Sequence, residues 1–508
     1  MKIISAQQTR ELDAFTISHE PIASIDLMER ASQAFTDWLV NNFSPSQKKI
    51  KIICGLGNNG GDGLAIARQL LHLGYDIEVF ILKYSDKMSA DFQINLTRLQ
   101  NILPSHFIDN QEQLLNFSEQ DLIIDAILGS GLSRPTEGLI RDIILKINES
   151  EATKISVDIA SGLFVDSLNG VNDVILKPDF TISFQMPKLA FMLPPNAEFV
   201  GDFKILDIGL SQAFINQISS QYFFTESIQD LIKLRPKFSH KGTFGHALLI
   251  AGSGGMMGAA VLSSRACMRS GVGKLTVQIP ACGIDIMQIS IPEAILWETP
   301  ENDIFWEKEK IKSFQAVGVG PAIGVDDLLT KNLEDLFDTC TDYNIPMVLD
   351  ADIFNNLATE KGRKIIEKIP KNSVLTPHPK EFQKLINKSW KNDFERLEFL
   401  RDFAINHQVI VCLKGANTAV ALPNGEIYFN STGNSGMAKA GTGDVLTGMI
   451  TALLAQGYSP KEAAILGVYE HGLAGDRAAQ KRGQVSMLAS DLVEEIRFIY
   501  SEKNVSEV

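Results

Sequence analysis

Short apolar runs recur along the first half of the chain. IKIIC (50–54), DIEVFIL (76–82), DLIID (121–125), KISVD (154–158) and DFTISF (179–184) each predict a strand. Between them the rhythm changes to that of helices. LAIARQLLHLG (64–74) repeats apolar positions every three to four residues and stops at Gly74. Ser5 and Gln8 stand in the spacing of a capping box, and helical periodicity covers Ile25 to Val40. Strands alternating with helices predict a parallel sheet covered on both faces.

The pattern restarts after the polar stretch SQAFINQISSQ (211–221). HALLIAG (246–252) leads into SGGMMGAA and a helix that stops near Gly271. KLTVQIP (274–280), QAVGVG (315–320), IPMVLD (345–350), NSVLT (372–376) and QVIVCLKG (408–415) follow as strands at uneven spacing. Asn424-Gly425 between two β-rich runs predicts a hairpin. MAKAGTGDVLTGMITALLAQG (437–457) predicts a glycine-rich loop feeding a helix. No repeat of 20–50 residues is visible, so two α/β domains are expected, with a boundary near 212–225.

Composition narrows the partners. The 508 residues carry a formal charge of −14, which disfavours nucleic acid or an anionic membrane as a partner. Five cysteines without a C-x-x-C pair argue against a disulfide framework and a thiolate zinc site. Cys54 and Cys412 end apolar runs and read as buried thiols in a reducing compartment. The first residues hold only a three-residue apolar patch, and no window reaches the ~18 apolar residues of a membrane span. A cytoplasmic protein is expected.

GLGNNG fits G-x-G-x-x-G at Gly55, Gly57 and Gly60, between a strand and a helix whose N-terminus favours an anion. The next strand ends Leu82-Lys83-Tyr84, without the acid that holds ribose hydroxyls, so a plain NAD dehydrogenase is not expected. Asn58, Asn59, Asp62, Asp125, Asp158 and Ser161 all follow strand ends, which share one edge of a parallel sheet. Oxygen groups without His or Cys suit a hard cation or a hydroxyl-rich substrate. Each alone is also an ordinary turn former or cap.

AGTGD states a mechanism of its own. Gly441 and Gly443 clear the start of a helix, and the amides of Thr442, Gly443 and Asp444 can face a phosphate. Asp444 beside them can take a proton from a hydroxyl as its oxygen attacks phosphorus. Lys414-Gly415-Ala416-Asn417-Thr418 follows a strand and suits a nucleotide-phosphate loop, or a solvated turn. Lys241 suits phosphate or a surface charge.

GNNGGDG, DAILGSGLSRP (125–135) and SVDIASGL (156–163) together resemble the NAD(P)H-hydrate epimerase domain, also called the YjeF N-terminal domain. HKGTFGHALLIAGSGGMMGAA (240–260), GVGPAIG (318–324), TPHPKEF (376–382), KGANT (414–418) and AGTGDVL (440–446) resemble the ADP/ATP-dependent NAD(P)H-hydrate dehydratase of the ribokinase-like superfamily. The resemblance implies a Rossmann-like three-layer α/β domain over 1–218 and a ribokinase-like three-layer α/β domain over 225–505. It implies that Asn59, Asp125 and Ser161 bind potassium. Asn58, Asn59, Gly60, Gly61, Asp62 and the loop Gly129, Ser130, Gly131, Leu132, Ser133, Arg134, Pro135 would bind the hydrate, with Asp158 as a substrate-contacting, catalytic acid.

In the second domain it implies hydrate binding by Ala259, Gly320, His378 and Asp444. Lys414 to Thr418 and Gly443 would bind nucleotide, with Asp444 catalytic. The family often reads H-P-G-E where this chain has His378-Pro379-Lys380-Glu381, which leaves the local loop shape open. The implied substrates are NADHX, NADPHX and ADP or ATP, with Mg2+ on the nucleotide. No nucleic acid or membrane partner is implied, and a homo-oligomer is expected. Two other readings compete: a small-molecule or vitamin kinase of ribokinase type with an appended Rossmann-like domain, and a first domain that is a non-catalytic scaffold.

Overall fold

The computed structural model describes residues 1–45, 48–110, 113, 116–299 and 306–501. The chain divides into two compact units between Tyr222 and Phe223. The expected end of the second domain at 505 lies outside the described residues.

The first unit carries a seven-stranded sheet. Its strands are β1 (Lys49–Cys54), β2 (Ile77–Leu82), β3 (Ser105–Ile108), β4 (Asp121–Ala126), β5 (Thr153–Val157), β6 (Phe180–Phe184) and β7 (Asp202–Leu206). They lie in the order β3-β2-β1-β4-β5-β6-β7, every pair parallel. The order reverses between β1 and β4, and ligands of open parallel sheets bind at such a reversal. Ile52, Val79, Ile124, Ile155 and Ile182, one from each of the five central strands, join the buried core. Helix α1 (Ala6–His19) starts at Ser5 with the full capping box to Gln8. Helix α2 (Ser24–Asn42) follows, and α3 (Asn58–His72) opens directly after β1.

The glycines of the β1–α3 turn answer first to packing. A Cβ at Gly60 would lie 2.0 Å from the Gly55 carbonyl oxygen. One at Gly63 would lie 2.6 Å from the Ala126 Cβ on β4. These residues let α3 press onto the sheet and fix where Asn58 and Asn59 emerge.

In the second unit, nine strands between His246 and Asn430 form the body of a second sheet. They are β8 (His246–Ile250), β9 (Lys274–Pro280), β10 (Ile295–Thr299), β11 (Ala316–Val319), β12 (Met347–Leu349), β13 (Val374–Leu375), β14 (Ile410–Leu413), β15 (Ala419–Ala421) and β16 (Ile427–Asn430). Their order is β10-β9-β8-β11-β12-β13-β14-β15-β16. All pairs are parallel up to β14, and β14-β15-β16 turn back antiparallel. The β15–β16 hairpin closes at Asn424-Gly425 as expected, with Gly425 at φ +88°.

Helix α4 (Met257–Arg269) follows β8, and helix α5 (Thr442–Ala455) is buried from Val445 to its end. The sequence TGDVLTGMITALLA is apolar all round, which is the composition of a helix with no solvent face. Gly448 lets α5 touch α4 backbone to backbone: a Cβ there would lie 2.0 Å from the Ser263 carbonyl oxygen. This buried spine fixes the N-terminus of α5, with Gly443 and Asp444, beneath the C-terminal edge of the sheet.

Candidate active sites

At the reversal point of the first sheet lies a cavity of about 880 Å³. Asn58, Asn59 and Asp62 from α3, Gly129 to Pro135 after β4, and Asp158 after β5 line it. Gly60 and Gly61 do not reach the cavity; Gly61 packs against the Met28 side chain instead. Asp125 and Ser161 are fully buried outside the lining.

Asp125 is held by its neighbours on the adjacent strand and loop. Its carboxylate accepts from Ser156 Oγ at 2.8 Å, Ser161 N at 2.9 Å, Ser161 Oγ at 2.5 Å and Ile127 N at 3.2 Å. Burial raises its pKa against these hydrogen bonds, and no basic side chain pairs with it among the described residues. Asn59 is buried nearby, its Nδ2 without a hydrogen-bond partner, and Gly129 packs on its side chain. A buried carboxylate lacking a cation, with hydroxyl and amide groups at hand, fits a hard monovalent ion.

Asp158 sits in the left-handed region at φ +66°, a conformation that costs energy in a residue with a side chain. That turn aims the carboxylate at the cavity. Its Oδ1 accepts from Lys188 Nζ at 2.7 Å, Phe184 N at 3.2 Å and Ser183 Oγ at 3.4 Å, and the residue lines the cavity. Lys188 is 4% exposed and also donates to Ser183 Oγ at 2.6 Å. Lys188 escaped the sequence reading because it lies 30 residues beyond Asp158 and ends no strand.

In the second unit, the predicted residues meet along neighbouring strand ends. Ala259 lies on α4 after β8; Gly320, Asp350, His378 and Lys414 follow β11, β12, β13 and β14. Lys414 Nζ donates to Asp350 Oδ1 at 2.7 Å, and Thr447 Oγ1 donates to Asp350 Oδ2 at 2.7 Å. Gly443 faces the same amine: a Cβ there would lie 3.1 Å from Lys414 Nζ. Burial pulls the Lys414 pKa down, but the Asp350 carboxylate outweighs it and holds it up. Asp350 joins this group although the sequence reading did not single it out. The signal was present, since IPMVLD ends in Asp as DLIID and KISVD do.

The N-terminus of α5 is open toward this group. Val445 N is satisfied by the Gly441 carbonyl, while the amides of Gly443 and Asp444 have no intrahelical acceptor. His471 Nε2 donates to the Thr442 carbonyl at 2.8 Å; burial pushes its pKa down to about 4, so it braces the turn as a neutral ring. The Asp444 carboxyl is pushed up to about 6, first by burial and then by the Asp350 charge, with Lys414 pulling the other way.

His378 caps the helix Pro379–Ile386, its ring accepting from Glu381 N while Glu381 accepts from His378 N at 2.8 Å. Lys380 is exposed in that first turn, and the capping box on either side of it is complete. From Lys414 to Thr418 the chain makes a turn, with Gly415 N donating to Thr418 Oγ1 at 3.3 Å.

Two parallel α/β units, each with charged groups gathered at the strand C-termini, define a two-domain enzyme. The sequence model described as YjeF-related protein N-terminus matches residues 24–190, and that described as NAD(P)H-hydrate dehydratase matches 247–497. The bifunctional NAD(P)H-hydrate repair enzyme of Moorella thermoacetica is 33% identical, covering 98% of this chain and 96% of its own. That of Thermofilum pendens is 33% identical over 97% and 95%. A crystal structure of ADP/ATP-dependent NAD(P)H-hydrate dehydratase from Bacillus subtilis, co-crystallized with ATP and Mg2+, shares 30% identity, covering 54% of this chain and 95% of that one at a TM-score of 0.46. The chain belongs to the bifunctional NAD(P)H-hydrate repair enzyme family. Among the described residues no helix is long and apolar enough to cross a membrane.

Proposed function

We propose that this chain repairs hydrated NADH and NADPH in two steps, with epimerisation in residues 1–218 and nucleotide-dependent dehydration in 225–505. The observation that carries the second step is the meeting of Lys414, Asp350, Gly443 and Asp444 at one sheet edge. Ala259, Gly320 and His378 contact the hydrate there, and residues 414–418 hold the nucleotide. The Gly443 and Asp444 amides and the Lys414 ammonium stabilise charge on the transferred phosphoryl group. Asp444 accepts the proton of the C6 hydroxyl as its oxygen attacks the terminal phosphorus of ADP or ATP. Phosphate then leaves C6 as the ring nitrogen's lone pair forms a C6=N bond; loss of a proton from C5 to solvent forms the C5=C6 bond, returns the C=N electrons to nitrogen and restores the dihydronicotinamide. With ADP the co-products are AMP and phosphate. A magnesium ion on the nucleotide oxygens would lessen repulsion between the two polyphosphates.

In the first domain, the loop 129–135 with Asn58, Asn59 and Asp62 holds the hydrate over Asp158, which moves a proton at C6. Gly60 and Gly61 serve this site by placing α3. Asn59, Asp125 and Ser161 would hold potassium, which would supply the positive charge that the buried Asp125 carboxylate lacks. The reading also carries a homo-oligomer in the cytoplasm; five free cysteines, four of them buried, suit a reducing compartment.

The test follows absorbance at 340 nm while the chain is incubated with ADP or ATP and the S hydrate of NADPH. A rise accompanied by stoichiometric phosphate is expected. A flat trace with accumulating phosphorylated hydrate would instead identify a simple kinase.

A further inference from the structure

One group at the first cavity has no part in the steps above. Asp13 lies on α1, which supplies Thr9, Arg10, Asp13 and Ile17 to the cavity wall. It is partly buried, and its carboxyl makes no hydrogen bond or ion pair among the described residues. A carboxyl shielded from bulk water, unpartnered by protein and open to a substrate cavity is costly for folding alone.

We propose that Asp13 is a catalytic acid–base residue of the epimerase site, exchanging a proton with the C6 oxygen of the hydrate as the counterpart of Asp158. The inference rests on the epimerase reading above. In one direction the Asp13 carboxylic acid gives its proton to the C6 hydroxyl. The C6–O bond breaks, the ring nitrogen's lone pair forms a C=N bond, and water leaves. Water then adds to the other face of C6, the C=N electrons return to nitrogen, and the released proton passes to the Asp158 carboxylate. Asp13 ends ionised and Asp158 protonated; the reverse reaction, or exchange with solvent, restores both.

The surroundings suit this division. Burial, then the Asp158 charge, pushes Asp13 up to about 7 against the pull of Lys188. Lys188 pairs directly with Asp158 and not with Asp13, so the cation is committed to one of the two acids and leaves the other free for the cavity. The other charged groups at the cavity are Arg10, Asp62, Asp91, Arg134 and Glu137. Asp62 is also held well above the ordinary range, by burial and by Asp158, Asp13 and Asp91, and its variant is therefore measured beside those of Asp13.

The experiment measures R-to-S and S-to-R conversion of hydrated NADPH by chromatography from about pH 5.5 to 9, in the full chain and its Asp13→Asn, Asp13→Glu and Asp62→Asn variants. Asp13→Asn is expected to lower kcat by about 100-fold or more with KM changed less than about threefold, the scale of a lost general acid. Asp13→Glu should recover part of the rate. The wild-type limb near pH 7 should vanish in Asp13→Asn and persist in Asp62→Asn. The proposal is overturned if Asp13→Asn keeps the wild-type rate and limb, if Asp13→Asn and Asp13→Glu lose rate and KM together, or if the limb follows Asp62. A wild-type chain that does not interconvert the epimers overturns the epimerase reading itself.

Discussion

Replacing Asp444 by Asn should separate function from stability. The carboxyl is raised from 3.8 to about 6 in the folded chain. A raised acid is bound to its proton more tightly when folded than when unfolded. Its ionised form therefore costs nothing below about pH 4, and the cost is complete above about pH 6. Two pKa units at about 1.4 kcal/mol each set an upper bound of about 3 kcal/mol. Solvent at the open side of the site reduces this to about 1–3 kcal/mol. Asp444→Asn removes the charge and keeps the shape. Urea denaturation can be followed by tryptophan fluorescence, since Trp297, Trp306 and Trp390 lie in the second unit. The variant should be more stable than wild type by about 1–3 kcal/mol at pH 8, with the advantage fading toward pH 4. Dehydration should fall by about 1,000-fold, since the base is lost while the side chain keeps its place. A variant that is less stable at pH 8, or that still dehydrates at the wild-type rate, refutes the reasoning.

Lys188→Met leaves Asp158 without its cation; it should lower the first unit's stability by about 3 kcal/mol in urea denaturation and abolish R/S interconversion. Gly320→Ala places a Cβ 1.8 Å from the Asp350 carbonyl oxygen at a φ of +136°, so melting of the second unit should drop with a cost of about 3 kcal/mol or more. Substituting lithium for potassium should slow epimerisation measured by chromatography and leave dehydration of the pure S hydrate unchanged, because the Asp125 cluster lies in the first unit alone.

The central strands were legible because they are buried on both faces and therefore continuously apolar. DLIID and KISVD end where β4 and β5 end, within a residue. The edge strands β3 and β7 were not, since Ser105–Ile108 and Asp202–Leu206 are partly exposed and lack an apolar run. The glycine motif was legible as a turn, but its packing role was not. Gly60 and Gly61 meet Gly55 and Met28, and a motif cannot reveal whether its missing side chain makes room for a ligand or for the protein. Asp158 and Asp444 could be placed because strand ends and helix starts are local features. Lys188, Asp13 and the Lys414–Asp350 pair depend on chain segments brought together by the sheet order, which no local window contains.

The most direct test of two chemistries in one chain is the final 340 nm amplitude from a mixture of R and S hydrates with excess nucleotide. The full chain should restore every hydrate molecule, whereas Asp158→Asn should stop at the amount of S initially present. Equal amplitudes from the two proteins, at either level, would contradict a repair enzyme whose first domain feeds its second.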